Sequence, residues 1–120
     1  MKRDMDLCRE ILLEMERRSW SDRSETIQVA EYSAEQIHYH IKILAEAGLI
    51  DAADASSRNG IQWIPLSLTW HGHEFLDAAR DNGRWARAKS LMERVRGMTF
   101  EVLTTVLTKF LTDAATDAMN

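Results

Sequence analysis

Apolar positions along the chain come in short runs whose period switches from helical to extended and back. Cys8, Ile11, Leu12 and Met15 stand at i, i+3, i+4 and i+7, the single stripe of a first helix over about residues 4–18. Asp4 is placed to cap its start, and Arg17 and Arg18 fall where the helix dipole favours cations. Residues 19–24 are polar and turn-like. Glu25-Thr26-Ile27-Gln28-Val29 then alternates polar and apolar, which predicts a short strand with Ile27 and Val29 inward.

Ser33-Ala34-Glu35-Gln36 opens the next helix with the spacing of a capping box. At about 100° per residue, Ile37, Ile41, Leu44 and Gly48 form one buried line, and Glu35, Tyr39, Lys42 and Glu46 project from the other side. Gly48 suits the residue after a helix end, with Leu49 and Ile50 packing back beneath it. A β-hairpin follows: residues 50–55 approach, residues 56–60 turn and residues 61–68 return. Asn59-Gly60 is the pair that best tolerates the positive φ angles of a tight turn. Pro65 has no N–H to give a ladder, so the returning strand is an edge or bends there.

Thr69 caps a third helix carrying Phe75, Leu76 and Ala79 inward, and Asn82-Gly83 breaks it. Residues 84–96 form a basic amphipathic helix with Trp85, Ala88, Leu91, Met92 and Val95 on its apolar side. After Gly97, Thr99 caps a last helix with a broad stripe of Val102, Leu103, Val106, Leu107, Phe110, Leu111, Ala114 and Ala115. The chain is thus expected to be mainly α with a small β-hairpin, an α+β fold. A single domain is predicted over residues 1–120, with a helix–strand–helix–hairpin core in 1–81 and additional C-terminal helices in 84–120.

Two phrases carry a resemblance. "HIKILAEAGLI" is similar to the stretch in many bacterial winged-helix regulators where the recognition helix runs into the first wing strand. "LTWHG" resembles the leucine-threonine-x-x-glycine phrase that follows the wing there. Both phrases imply a winged-helix-like fold. One departure stands out: only Ala30, Glu31 and Tyr32 separate the expected strand from the Ser33 cap, so the positioning helix is missing or reduced to a turn. Over nearly its whole length the chain also resembles a family of small bacterial and phage or prophage proteins, domain-of-unknown-function family 2513. "MKRDMDL", "YHIKILAEAGLI" and "LTWHGHEFLDAARD", followed by Trp85, carry that likeness. It implies occurrence in mobile elements and supplies no catalytic residues.

Composition adds limits. The 120 residues are 45% hydrophobic and 28% charged, which is globular composition. No apolar run approaches the roughly 20 residues of a membrane span. The opening lacks the apolar core of a signal peptide, and the lone Cys8 excludes an intrachain disulfide and suits a reducing compartment, so a cytoplasmic protein is expected. Net charge is −4 but unevenly spread. Residues 25–57 hold one basic residue, Lys42, against six acidic, net −5; residues 84–96 hold five basic against Glu93, net +4.

His38 and His40, and His71 and His73, stand at i, i+2, on opposite flanks of their helices, so no metal site is expected, His38 is expected in solvent and His40 at the edge of the core. Cys8 lies on an apolar stripe, where a buried inert thiol is expected. No phosphate loop or nucleophile motif appears, so no catalytic residue or cofactor is expected. Trp63, Trp70 and Trp85 are expected to pack; Trp20 either covers the end of the first helix or sits on an interaction surface. The candidate nucleic-acid or partner-binding residues are Gln36, Tyr39 and Lys42 on the second helix, Arg58 at the wing tip, and Arg84 and Arg87. Leu103, Val106, Leu107, Phe110 and Leu111 are candidates for a homodimer contact. Together these features predict a non-enzymatic, winged-helix-like regulator of bacterial or prophage origin acting on double-stranded DNA. The alternative is a phage or prophage interaction module that inhibits or adapts a host protein and binds no DNA.

Overall fold

The computed structural model describes residues 1–97 and 99–120. Its α-helices are α1 (Met5–Arg17), α2 (Ala34–Glu46), α3 (Trp70–Ala79), α4 (Asn82–Val95) and α5 (Phe100–Met119), and its strands β1 (Ile50–Asp54) and β2 (Trp63–Leu68) form one antiparallel hairpin. The protein is therefore mostly helical with a small two-stranded sheet, an α+β fold. By contacts it divides into two compact units, Met1–Leu76 and Asp77–Asn120. Among the described residues no helix is long and apolar enough to cross a membrane.

In the first unit, Asp4 caps α1 by accepting the Leu7 N–H at 3.2 Å. Leu7, Cys8, Ile11 and Leu12 are buried, and Met15 is half-buried where the helix leaves the core. Beyond a single 3₁₀ turn (Trp20–Asp22), the expected strand over residues 25–29 does not form a ladder, because the sheet holds only β1 and β2. Its alternation survives, with Ile27 buried, Val29 half-buried and the polar residues between them exposed. Arg18 takes up two of its carbonyls instead, donating to Thr26 O at 2.8 Å and to Glu25 O.

Ser33 Oγ accepts the Gln36 N–H and Gln36 Oε1 accepts the Ser33 N–H, a complete capping box at the start of α2. At the other end Gly48, at φ +77°, turns the chain. The Gly48 N–H donates to Ala45 O and the Leu49 N–H to Leu44 O, both at 3.0 Å, so the last carbonyls are satisfied in a Schellman arrangement. Leu44 and Leu49 are both buried.

The hairpin pairs Ile50 with Leu68 and Asp51 with Ser67, then skips Leu66 to pair Ala52 with Pro65. The bulge thus falls beside the residue that lacks an N–H. At the tip, Ser57 and Gly60 exchange main-chain hydrogen bonds of 3.1 Å, which places Arg58 and Asn59 at the turn. Only Gly60 there has a positive φ, +129°, so the turn lies one residue earlier than an Asn59-Gly60 centre would place it.

Thr69 ties the start of α3 to the end of α2. Its Oγ1 accepts the Gly72 N–H at 3.1 Å, its hydroxyl donates to Gly48 O at 2.6 Å, and its N–H donates to Leu49 O at 3.0 Å. Gly72 passes so close that a Cβ on it would lie 2.0 Å from the Leu49 oxygen. Those contacts explain the leucine-threonine-x-x-glycine phrase by packing alone. Phe75 and Leu76 on α3 are buried.

In the second unit, the break expected at Asn82-Gly83 falls at Arg80 and Asp81. Asp81 Oδ2 accepts the Arg84 N–H at 2.8 Å and starts α4, so Asn82 and Gly83 form its first turn. Trp85 and Ala88 are buried and Leu91 and Met92 half-buried, but Val95 is 60% exposed, because α4 ends there rather than continuing its stripe. Thr99 Oγ1 caps α5 through the Val102 N–H at 3.2 Å. Leu103, Leu107 and Phe110 form its buried line, whereas Val102, Ala114 and Ala115 are exposed.

Candidate functional site

The outward side of α2 carries three of the candidate residues. Each of the three is already engaged. Gln36 spends its side-chain oxygen in the capping box at 2.8 Å. Lys42 Nζ lies 3.0 Å from Glu46 Oε1 and 5.7 Å from the centre of the Tyr39 ring. The Glu46 hydrogen bond and then its charge hold the Lys42 ammonium above the ordinary lysine range. Half-buried Tyr39 stands edge-on to His40, ring centres 5.8 Å apart. Arg58 is exposed at the hairpin tip. Around them Glu31, Glu35, Glu46, Asp51 and Asp54 are all exposed. The Ser56 main-chain N–H, 2.9 Å from Asp54 Oδ1, holds the Asp54 carboxyl below its ordinary range. The resulting helix–hairpin surface is acidic, with its one lysine partnered.

The two α2 histidines serve this surface from beneath. His38 is not solvated: its Nδ1 accepts the Trp63 N–H at 3.0 Å and pins α2 to β2. The partner lies 25 residues away in sequence, so no local pattern signalled this bond. His40, at 1% exposure, is buried outright; its Nε2 accepts the Asp4 N–H at 2.8 Å and its Nδ1 donates to Gln36 O at 2.7 Å. Tyr32 closes the arrangement, its hydroxyl donating to Asp4 Oδ2 at 2.7 Å; that bond first, then burial, pushes the phenol up to about 12. The flanks that separate the two imidazoles thus let one hold the hairpin and the other the start of α1.

Beside the N-terminal half of α2 runs an open groove of about 680 Å³, lined by Ile27, Val29, Glu31, Tyr32, Ile37 and His38 among others. A smaller groove of about 250 Å³ lies between Met15, Arg18, Trp20, Leu66, Leu68 and His73. Trp20 is 69% exposed with the Arg23 guanidinium 4.2 Å from its ring centre, so it sits on the surface rather than over a helix end. Trp70, expected to pack, is 81% exposed, since it opens α3 on the side away from Gly72, Phe75 and Leu76. Among the described residues, no three His, Cys, Asp or Glu side chains are placed to hold a metal ion. Cys8 is buried, and desolvation pushes its thiol up to about 12.

Arg84 and Arg87 belong to the second unit. Arg84 Nε is buried without a hydrogen-bond partner among the described residues, and the Arg87 guanidinium lies 3.9 Å over the Phe110 ring. Of the candidate dimer residues, Leu103, Leu107 and Phe110 are buried within the single chain, which leaves Val106 and Leu111 half-buried.

An uncharacterized protein of Haemophilus influenzae is 40% identical over 94 residues, covering 78% of this chain and 80% of that protein. No solved structure matches. The family model described as "Hypothetical protein (DUF2513)" matches residues 2–99, a stretch that holds α1 to α4 and the hairpin and stops short of α5. With most of its length inside that match, the chain belongs to the DUF2513 family.

Proposed function

We propose that the protein is a non-enzymatic interaction module whose acidic helix–hairpin surface docks a basic segment of another protein. One observation carries this reading: Glu35, Asp51 and Asp54 on α2 and β1, with Glu31 just before α2, are all exposed, while Lys42 is paired with Glu46. A surface of one sign steers and orients a partner of the other and repels like charge. A prophage-type protein that inhibits or adapts a host nucleic-acid enzyme fits such a surface, since those enzymes present basic clefts.

The second reading is a winged-helix-like regulator of double-stranded DNA. It is favoured by the succession of a capped helix and a hairpin with Arg58 exposed at its tip. Against it stands the phosphate backbone, which rewards free cations, whereas Lys42 is paired and Gln36 is held in the cap.

Reversing Glu35, Glu46 and Asp51 to lysine separates the two. Retention on an immobilised lysine-rich peptide and on a random duplex is measured at low salt for both proteins. The interaction reading expects the parent to bind the peptide and not the duplex, and the reversed variant to lose the peptide. Peptide retention unchanged by reversal, or duplex retention by the parent, overturns it.

A further inference from the structure

Residues 26–29 have the exposure pattern of a β-strand but, among the described residues, no strand beside them. Ile27 is buried, Val29 half-buried, and Thr26 and Gln28 exposed, the period of two that an edge strand shows. The main-chain N–H groups of residues 26–29 have no main-chain partner among the described residues, nor have the carbonyls of Ile27 and Gln28. The two flanking carbonyls are occupied: Thr26 O accepts from Arg18 at 2.8 Å and Val29 O from the Tyr32 N–H at 3.2 Å. Arg18 from one side and the Tyr32 turn from the other thus hold the two ends of the segment while its middle stays open. The groove of about 680 Å³ lies along this segment and against Ala34, Ile37 and His38 of α2.

We infer that this segment accepts an extended, basic peptide strand from a partner protein by main-chain pairing, with the partner's side chains seated in the adjoining groove. Unpaired N–H and C=O groups in an extended edge are a template for strand addition, in which the main chain supplies affinity and alternate side chains supply selection. The groove's apolar floor, Ile27, Val29 and Ile37, takes the partner's inward apolar residues. Glu25, Glu31 and Glu35 are exposed around it, and residues 25–35 contain no basic side chain, so the partner's outward residues are lysine or arginine. The partner's charge rests on the proposed function above; the mode of pairing rests on the main chain alone.

The test uses the full chain and three capped eight-residue peptides followed by amide NMR. The first alternates valine and lysine, the second is the same sequence N-methylated at every residue, and the third has glutamate for lysine. Strand addition expects the first to shift the amides of residues 26–30 and to slow exchange at Gln28 by about tenfold or more. N-methylation, which removes the donors and leaves the charge, abolishes this. Glutamate for lysine weakens binding about tenfold, the sum of two or three exposed ion pairs, and Glu35→Lys in the protein, which removes one of them, weakens the lysine peptide by about two- to threefold with the remaining spectrum unmoved. Equal binding of the N-methylated peptide, shifts confined to residues away from the groove, or no shift at millimolar peptide overturns the inference. Equal binding of the lysine and glutamate peptides, with the N-methylated one silent, upholds strand addition and instead removes the acidic-surface reading.

Discussion

Gly72 and Gly48 are both needed, for different physical reasons that substitution separates. A Cβ on Gly72 would meet the Leu49 oxygen at 2.0 Å, main chain against main chain, so Gly72→Ala forces α3 off the end of α2 and is expected to cost about 3 kcal/mol. Gly48 has open space around it and only its φ of +77° to defend, so Gly48→Ala is expected to cost about 1 kcal/mol. Urea unfolding of both variants checks the order; equal losses would mean that the close approach at Gly72 relaxes freely. Cys8 gives a pH test. Its thiol titrates near 9.0 when unfolded and about 12 when folded, so the fold favours the protonated form. That contribution is whole below pH 9 and is lost as pH rises towards 12, with a slope of up to about 1.4 kcal/mol per pH unit. Between pH 9 and 10 the unfolded thiol ionises ahead of the unfolded Tyr32 phenol, at 10.0 against about 12 folded, so Cys8→Ala is expected to flatten most of the stability curve there, measured by urea unfolding at each pH. Some of these single-residue facts were legible in the sequence and some were not. Trp70 could have been placed: at about 100° per residue, Gly72, Phe75, Leu76 and Ala79 lie roughly 140–240° around the helix from it. The Leu49 oxygen facing Gly72 could not, because that approach exists only once α2, the hairpin and α3 have met.

Elements were legible where their signals are local. The box at Ser33 and Gln36, the Gly48 stop, and the caps at Asp4, Thr69 and Thr99 each act within a few residues, and all are in place. The strand at residues 25–29 was legible as a pattern, but a ladder needs a second strand, and β2 pairs only with β1. Asn82-Gly83 read as a break because both are poor helix formers, yet the first turn has unpaired N–H groups in any case, and the Asp81 cap outweighs propensity there. The cap also bears on function, since Gln36 is a candidate reader of a ligand. Ser33→Ala and Gln36→Ala are each expected to lower stability by about 1 kcal/mol. If Gln36 serves the cap alone, Gln36→Ala leaves binding of the lysine-rich peptide unchanged once both proteins are fully folded. A loss of binding without a loss of stability would move Gln36 from the cap to the ligand site.

At the scale of the molecule, charge and fold are separable. Residues 1–76 carry eight basic and thirteen acidic residues, net −5, and residues 77–120 seven against six, net +1. That imbalance could be counted from the sequence; what counting could not show was that Lys42 makes its ion pair with Glu46, at 3.0 Å. A unit at −5 repels itself, and salt relieves repulsion by shortening the screening length from about 30 Å at 0.01 M to about 8 Å at 0.15 M. Stability is therefore expected to rise over that range, by roughly half a kcal/mol or about 2 °C in Tm. Binding of a basic segment depends on the same charges through attraction, so its affinity is expected to fall over the same range. Three reversals to lysine, at Glu35, Glu46 and Asp51, each change the charge by two and take the unit from −5 to +1. The variant is expected to lose both responses together: its Tm becomes nearly independent of salt, and the lysine-rich peptide no longer binds at any salt. Scanning calorimetry and peptide titration at both ionic strengths read the two slopes side by side. Were the reversed variant to lose the stability slope and keep the binding slope, the charge that governs folding and the charge that meets the partner would lie on different surfaces, and the helix–hairpin face would not be the site.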